Sequence, residues 1–415
     1  MTLEKTLADA LNRARARGPV LRLGVAVSGG SDSMALLNMA HGWSAAQGVA
    51  LGAATVDHGL RPEAEAEARR VADTCDRLGV PHDILRWSPD VTGNLQHAAR
   101  HARYDLLAGW SKAQALDAVA LGHTADDQAE TFLMRLARGS GVDGLSQMRD
   151  DWVDRGVRWL RPILSAERDA LRGWLQDRGH GWVDDPSNDD PRFDRVRVRQ
   201  AMQDLAKLGL DRSRLVETAR HMREARSALS YFAHETAVRI ARVEGGAVLF
   251  DAVAFRQLPA ETRHRLLAHA LMFVSSTVYR PRFDALCALE TDVLSGTART
   301  LQGCLVTLHK DVIEVVREYE AVHNQRAESD ALWDGRWRLE SAQPIENAWI
   351  AALGQGISDC PNWRASGLSR QTVLASPAVW TKAGLIAAPL AEYANGWSLS
   401  TAPEKEDFLL SILSH

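Results

Sequence analysis

Apolar residues in the first half of the chain come in short unbroken runs, each closed by a turn and followed by residues at helical spacing. Residues 20–27 read Val-Leu-Arg-Leu-Gly-Val-Ala-Val, stop at Ser28-Gly29-Gly30, and give way to Met34-Ala35-Leu36-Leu37-Asn38-Met39. That order predicts strand, loop and helix. A second run at 49–56 ends in Asp57-His58-Gly59-Leu60-Arg61 and precedes a Glu-, Ala- and Arg-rich stretch over 63–78. Further strands are predicted at 84–87 and at 118–121, with a helix near 94–114 between them. Strands alternating with helices at this spacing imply a parallel sheet covered on both faces, with function at the carboxyl ends of its strands.

After Pro191 the pattern changes to a charged, arginine-dense helical stretch reaching about residue 242, and strand-like segments return at 247–250 and 305–316. From Leu332 onward the chain is rich in tryptophan, short in period and punctuated by Gly and Pro, which suits a small β-containing domain. The expected organisation is a catalytic domain over 1–210, a mainly helical domain over 211–325, and a small α+β domain over 326–415. At 415 residues the chain is long enough for two or three domains, each with its own core.

Composition narrows the class. The chain is 46% hydrophobic and 25% charged, as globular proteins are, and no apolar run approaches the length of a bilayer span. The opening Met1-Thr2-Leu3-Glu4-Lys5 has amphipathic helical character and no apolar signal core, so a cytoplasmic location is expected. Cys75, Cys287, Cys304 and Cys360 lie far apart with no C-x-x-C pair, which suggests neither a disulfide framework nor a zinc or iron–sulfur site. A net charge of −4 argues against indiscriminate binding to polyanions but leaves room for a local basic surface. Residues 192–226 carry about twice as many basic as acidic side chains, which fits phosphate contact or an ordinary solvated helix face.

Candidate chemistry begins at Ser28-Gly29-Gly30-Ser31-Asp32-Ser33. Two glycines let backbone N–H groups turn toward an anion, and the following helix aims its positive end at the same point. The serine hydroxyls add donors, and Asp32 could hold a magnesium ion on phosphates. A bare Gly-Ser turn with a helix cap would look similar. The string is not a Walker loop, since no G-K-[ST] follows it, and it is not itself G-x-G-x-x-G. Asp57 and His58 close the second predicted strand and would face the same crevice. In Gly122-His123-Thr124-Ala125-Asp126-Asp127-Gln128-Ala129-Glu130-Thr131, helical spacing puts His123, Asp127 and Glu130 on one face. Such a face could be merely solvated, or could supply a metal-binding or base-providing cluster.

The SGGSDS string resembles the PP-loop ATP pyrophosphatases, which cleave ATP between the α and β phosphates and transfer AMP to a carbonyl oxygen. More strings follow in order: Arg100-His101-Ala102-Arg103-Tyr104, the glycine-rich Arg135 to Leu145 with Arg138 beside it, Arg161-Pro162-Ile163-Leu164, Trp182 to Asn188, and Arg195-Val196-Arg197-Val198-Arg199. With these the chain resembles the tRNA(Ile)-lysidine synthetases, densely over roughly 20–200. Val196 and Gln302 depart from that pattern, standing where Asn and Gly are usual.

The resemblance implies an α/β fold whose parallel-sheet PP-loop domain is adenine nucleotide α-hydrolase-like, followed by a mainly helical domain and a small β-containing domain that contacts the tRNA acceptor stem. It implies ATP and Mg2+, with ATP contacts from Ser28 to Ser33 and from Asp57 and His58, and metal contacts from Asp32 and Asp127. Asp32, Arg103, His123, Asp127, Glu130 and Arg195 would form the catalytic set, and Arg138, Arg197 and Arg199 would meet tRNA. The partners implied are tRNA(Ile) with a CAU anticodon and free L-lysine, with no membrane and a homodimer left open. Lysine must arrive as a cation and attack as a neutral amine, so carboxylates would hold it and either His123 or a carboxylate would take its proton. A tRNA thiolase of the same superfamily would want paired cysteines, which are missing. A catalytically silent RNA-binding protein would have no need of Asp32, His123, Asp127 and Glu130. Trp333, Trp337, Trp349, Trp363, Trp380 and Trp397 are expected mostly in the core, with stacking on bases the alternative use.

Overall fold

The computed structural model describes residues 2–59, 64–87, 95–184, 192, 194–343, 345–402 and 407–413. The chain folds as two compact units, Met1–Arg226 and Ser227–His415.

In the first unit the elements run α1 (Leu3–Arg17), β1 (Arg22–Ala26), α2 (Ser31–Gln47), β2 (Ala50–Asp57), α3 (Ala64–Leu78), β3 (His82–Arg86), α4 (Leu95–Ala113), β4 (Ala118–Leu121), α5 (Ala125–Leu136), α6 (Val142–Leu145), β5 (Asp151–Asp154), β6 (Val157–Leu160), α7 (Arg168–Asp177), α8 (Asp194–Lys207) and α9 (Arg212–Ile240). Six strands pair in the order β3-β2-β1-β4-β6-β5, parallel except for the β5–β6 hairpin. The runs that became β1 and β4 are buried almost throughout because both faces of the sheet are covered there, whereas the edge strand β3 has no buried residue. Leu23, Val25, Leu36, Leu37, Ile163, Leu171 and Leu175 pack in one core. Ala26, Ala54, Leu107, Trp110 and Trp159 pack in another.

The chain leaves β1 for β2 on one side and returns to β4 on the other, so the order reverses between β1 and β4. At such a switch point the two outgoing loops diverge and leave a crevice at the carboxyl edge. The Ser28 loop and His123 follow these two strands directly.

The second unit contains β7 (Ala241–Glu244), β8 (Ala247–Asp251), α10 (Ala252–Arg256), α11 (Ala260–Ser275), α12 (Phe283–Leu294), β9 (Arg299–Leu301), β10 (Cys304–His309), β11 (Val312–Arg317), α13 (Tyr319–Val322), β12 (Arg326–Glu328), β13 (Trp337–Ser341), β14 (Trp349–Ala352), α14 (Arg370–Leu374), β15 (Pro377–Thr381), β16 (Gly384–Ala387), β17 (Trp397–Thr401) and α15 (Phe408–Leu413). Helices α11 and α12 lie on an antiparallel sheet ordered β7-β8-β11-β10-β9, so helix outweighs strand before 326. Beyond it come a four-stranded sheet, β12-β14-β15-β16, and the ribbon β13–β17.

The division at 226/227 differs from the boundaries expected at 210 and 325. Past the first of these, α9 packs Leu215 and Ala219 against Ala129 and Phe132 of α5, which keeps its opening turns with the first unit. Two connections bridge the second. Phe408 and Ile412 of α15 return to the core beneath the first sheet of the second unit, and Arg317 pairs with Asp334 at 2.9 Å with both side chains largely buried. Trp333, Trp337 and Trp397 are core residues, as expected. Trp349 and Trp363 are half-buried beneath Arg326 and Arg364, and Trp380 is half-buried too. All four cysteines are unpaired. Burial pushes the Cys75 thiol up to about 11 and the Cys304 thiol to about 12, which makes them inert packing groups. Among the described residues, no helix is long and apolar enough to cross a membrane.

Candidate active site

The loop after β1 is braced from inside. Gly29 sits at φ +86°, a conformation that favours glycine, and its carbonyl accepts Val183 N–H at 2.9 Å. Ser33 Oγ accepts the Ser28 N–H at 3.1 Å and donates to Gly30 O at 3.0 Å, which closes the turn onto the first residues of α2. That use leaves Ser33 buried, while Ser28 is exposed. The first N–H groups of α2, beginning at Ser31, have no acceptor within their own helix, so they form a ready anion site. Gly122 explains how β4 comes close: a Cβ there would sit 3.1 Å from the Ser33 backbone.

Three carboxylates converge beside this loop on a residue to which the sequence assigned no role. Arg168 donates to Asp32 Oδ2 at 2.9 Å and to Glu130 Oε1 at 3.4 Å, and lies 3.6 Å from Asp127 Oδ1. Burial works against its charge, yet Asp32, Asp127 and Glu130 outweigh that and raise its pKa. Burial likewise pushes the Asp32 carboxyl up, and Arg168 only partly offsets this. Glu130 is buried and is also held by Arg199. Asp127 Oδ2 is occupied locally: it accepts the Thr124 N–H at 2.9 Å, while Thr124 Oγ1 accepts the Asp127 N–H at 3.4 Å, a reciprocal cap on α5. Only Oδ1 faces the charges of Arg168 and, at 3.8 Å, Arg195.

Because Thr124 caps α5, His123 lies in the loop before the helix rather than on the face it was expected to share with Asp127 and Glu130. There it meets a group of arginines. Arg161 Nε donates to His123 Nδ1 at 3.1 Å. Burial, then Arg161, Arg103, Arg195 and Arg100, hold the imidazole pKa well below its usual range. Arg103 makes no hydrogen bond or ion pair among the described residues, and burial depresses its pKa. Asp57 and His58 lie at the neighbouring end of β2. Asp57 Oδ1 accepts the Gly59 N–H at 2.9 Å. Burial and the Arg103 charge lower the pKa of His58, whose Nδ1 is buried with no partner among the described residues.

The three arginines expected at tRNA part ways. Arg138 pairs with Asp194 at 3.3 Å on the surface, and Arg197 pairs with the same carboxylate. Arg199 turns inward to Glu130, so it is a support of the carboxylate cluster rather than an outward phosphate contact. Leu60, Arg61 and the 185–188 part of the Trp182 string lie outside the described residues.

Arg168 escapes a reading of the sequence because the Arg161-Pro162-Ile163-Leu164 string ends short of it. One signal was present: Arg168 opens a helix, where a cation opposes the dipole unless carboxylates face it. Asp126 escapes it as well. Its Oδ2 accepts the Arg168 N–H at 2.8 Å and its Oδ1 accepts Arg212 at 2.8 Å, so it fixes the start of α7 against α5. Among the described residues, no cluster of three or more His, Cys, Asp or Glu side chains could by itself hold a metal ion.

A parallel sheet whose first strand feeds a Ser-Gly-Gly loop at the switch point, opposite paired carboxylates and clustered arginines, defines a PP-loop ATP-using enzyme. Residues 3–206 match the family model described as a PP-loop domain. The chain is 43% identical to a tRNA(Ile)-lysidine synthase of Ruegeria pomeroyi over 98% of both chains. It is 40% identical to one of Zymomonas mobilis, over 72% of this chain and 87% of that one. It belongs to the tRNA(Ile)-lysidine synthase family. Among solved structures, a U34-tRNA thiolase of Methanococcus maripaludis is similar at 18% identity, covering 54% of this chain and 78% of that one with a TM-score of 0.46, too low to speak to chemistry.

Proposed function

We propose that the chain uses ATP to adenylate the 2-oxygen of the wobble cytidine of tRNA(Ile) with a CAU anticodon, and ligates free L-lysine at that carbon to form lysidine. The product reads AUA in place of AUG. One observation carries the reading: the crevice has an acidic half, where Asp32, Asp127 and Glu130 share Arg168, and a basic half, where Arg100, Arg103, Arg161 and Arg195 surround His123. A reaction between a cationic amine and a triphosphate needs both.

In the first step the cytidine oxygen bonds to the α-phosphorus and pyrophosphate leaves. The N–H groups opening α2 and the permanent charges of Arg103 and Arg195 offset the negative charge of the departing group. In the second, the neutral ε-amine of lysine bonds to C2, the bond from C2 to the AMP oxygen breaks, and the amine gives up a proton to a carboxylate of the acidic half. Before that attack Asp127 and Glu130 hold the lysine ammonium, which becomes the neutral amine by giving a first proton to the same acidic half; the proton lost after the C2–N bond forms is the second.

The residues fit a magnesium ion that brings phosphates as its other ligands. Asp32 and Asp127 already converge on one cationic group, and Mg2+ commonly takes only one or two protein carboxylates. Asp32 and Asp127 would hold it, and it would supply neutralisation of phosphate charge.

The test incubates the purified protein with ATP, labelled lysine and unmodified tRNA bearing a CAU anticodon. Label should enter RNA, should require ATP, and should fall at least about 100-fold in Asp32→Asn, the scale of removing an electrostatic partner of the reacting groups. Label that never enters RNA, or that enters without ATP, overturns the reading.

A further inference from the structure

The contact between Arg161 and His123 fixes what the histidine is able to do. A guanidinium has only N–H donors, so the 3.1 Å bond from Arg161 Nε makes His123 Nδ1 an acceptor, with no proton of its own. The neutral ring then carries its hydrogen on Nε2, which makes no hydrogen bond among the described residues. Arg161 is itself tightly placed. One terminal nitrogen donates to Arg149 O at 2.6 Å, and its guanidinium lies 4.0 Å from the centre of the Trp152 ring. A proton could reach Nδ1 only if this bond broke and two cations were left face to face.

We propose that His123 acts as a fixed hydrogen-bond donor through Nε2–H to a phosphoryl oxygen of the nucleotide, and that Arg161 is the positioning residue that locks it in that tautomer. On this assignment His123 transfers no proton in either step. The surrounding charges favour the same state. Arg161 comes from the segment after β6, Arg100 and Arg103 from α4, and Arg195 from α8, and all of them disfavour an imidazolium. Asp127 on α5 is engaged with Thr124, Arg168 and Arg195 and makes no hydrogen bond to the ring among the described residues. A neutral ring whose donor edge is free, set beside clustered guanidinium groups, is suited to an anion and unsuited to an amine's proton.

Replacement of His123 by Gln and by Ala separates a donor from a base. Glutamine retains an N–H donor of similar reach and has no basic nitrogen. In the lysine-incorporation assay with full-length protein, His123→Gln should keep kcat within about tenfold of wild type, and His123→Ala should lose about 100-fold or more, as when one transition-state donor is removed. Equal losses in the two variants overturn the donor role. Arg161→Met should lower kcat with little change in KM for lysine, and Arg161→Lys should recover part of it.

A second readout needs no substrate. Ring 15N spectra of histidine-labelled protein between pH 5 and 8 should show a wild-type His123 that does not titrate and bears its proton on Nε2. In Arg161→Met the ring should titrate closer to the ordinary imidazole value of about 6.5. A wild-type ring that titrates there, or that is protonated at Nδ1, overturns the assignment. The donor role rests on the lysine-ligating reading, and the two fail differently: a failed reading shows as wild-type protein that incorporates no lysine, whereas the spectra judge the Arg161–His123 pairing either way.

Discussion

One guanidinium answers for three carboxylates at the centre of the crevice, and that makes Arg168 the most exacting residue of the site. Arg168→Met would leave Asp32, Asp127 and Glu130 with only the more distant Arg195 and the Glu130-bound Arg199 as counter-charges. Removing one member of a buried ionic group typically costs about 3–5 kcal/mol. The cost should depend on pH. The Asp32 carboxyl already sits above its ordinary value through burial, and loss of Arg168 raises it further. A carboxyl whose folded pKa exceeds its unfolded one destabilises the native state above that pKa, and the penalty fades as pH falls through it. Urea unfolding should therefore show a larger gap between wild type and Arg168→Met at pH 8 than at pH 5, and a gap that is flat or widens toward acid refutes the account. Activity at pH 8 should fall about 100-fold, as expected when reacting groups are misplaced by about an ångström. Arg168 also marks the limit of what the sequence disclosed at this scale. Asp32, Asp127 and Glu130 were legible because each stands in a distinctive string. Their shared partner stands in Glu167-Arg168-Asp169, which carries no motif, and becomes meaningful only once α7 is packed against α2 and α5.

Elements supply the placement that single residues lack. Asp126 has no evident role of its own within the His123–Glu130 string, yet it ties α5 to the start of α7 through the Arg168 N–H and to α9 through Arg212. Asp126→Ala should cost about 1–2 kcal/mol in urea unfolding, the scale of losing a helix-terminal acceptor. It should also reduce lysine incorporation, but by less than Arg168→Met, because the guanidinium keeps its own carboxylates. An activity loss equal to that of Arg168→Met would mean that Asp126 works in the chemistry directly. Strand and helix order in the first unit was readable from the apolar runs, because buried parallel strands are apolar throughout and end at turns. The cap on α5 was not. Helical spacing placed His123 on the helix, whereas the Thr124–Asp127 reciprocal bonds start it two residues later and turn the imidazole toward Arg161. The departure at Gln302 has a local reason as well. Its φ of +51° explains why glycine is usual there, and its side chain donates to Tyr279 O at 3.0 Å, which partly compensates the strained backbone.

Over the whole molecule, charge balance makes nucleic-acid binding a matter of arrangement. Residues 1–226 carry 32 basic and 32 acidic side chains, and 227–415 carry 17 and 21, so neither unit has a net positive field. Attraction to tRNA phosphates has to come from arginines that lack a close acidic partner. Arg195 is such a residue: among the described residues its one carboxylate contact is to Asp127 at 3.8 Å, and its side chain is 43% exposed. Arg138 and Arg197 share Asp194, and Arg199 is committed to Glu130. Each phosphate left without its cation in a single-stranded or looped region should lower the slope of log affinity against log salt by about 0.7. Arg195→Gln should therefore flatten the salt dependence of tRNA binding by about that amount, measured by fluorescence anisotropy without ATP so that the phosphates of nucleotide and RNA are not confused. Arg138→Gln should flatten it less, because the released Asp194 charge is already balanced by Arg197. If Arg138→Gln flattens the slope as much as Arg195→Gln, the surface pair opens to bind RNA and the binding surface extends outward along α8. If neither variant moves it, Arg195 serves the nucleotide phosphates alone, and RNA affinity arises elsewhere in the chain.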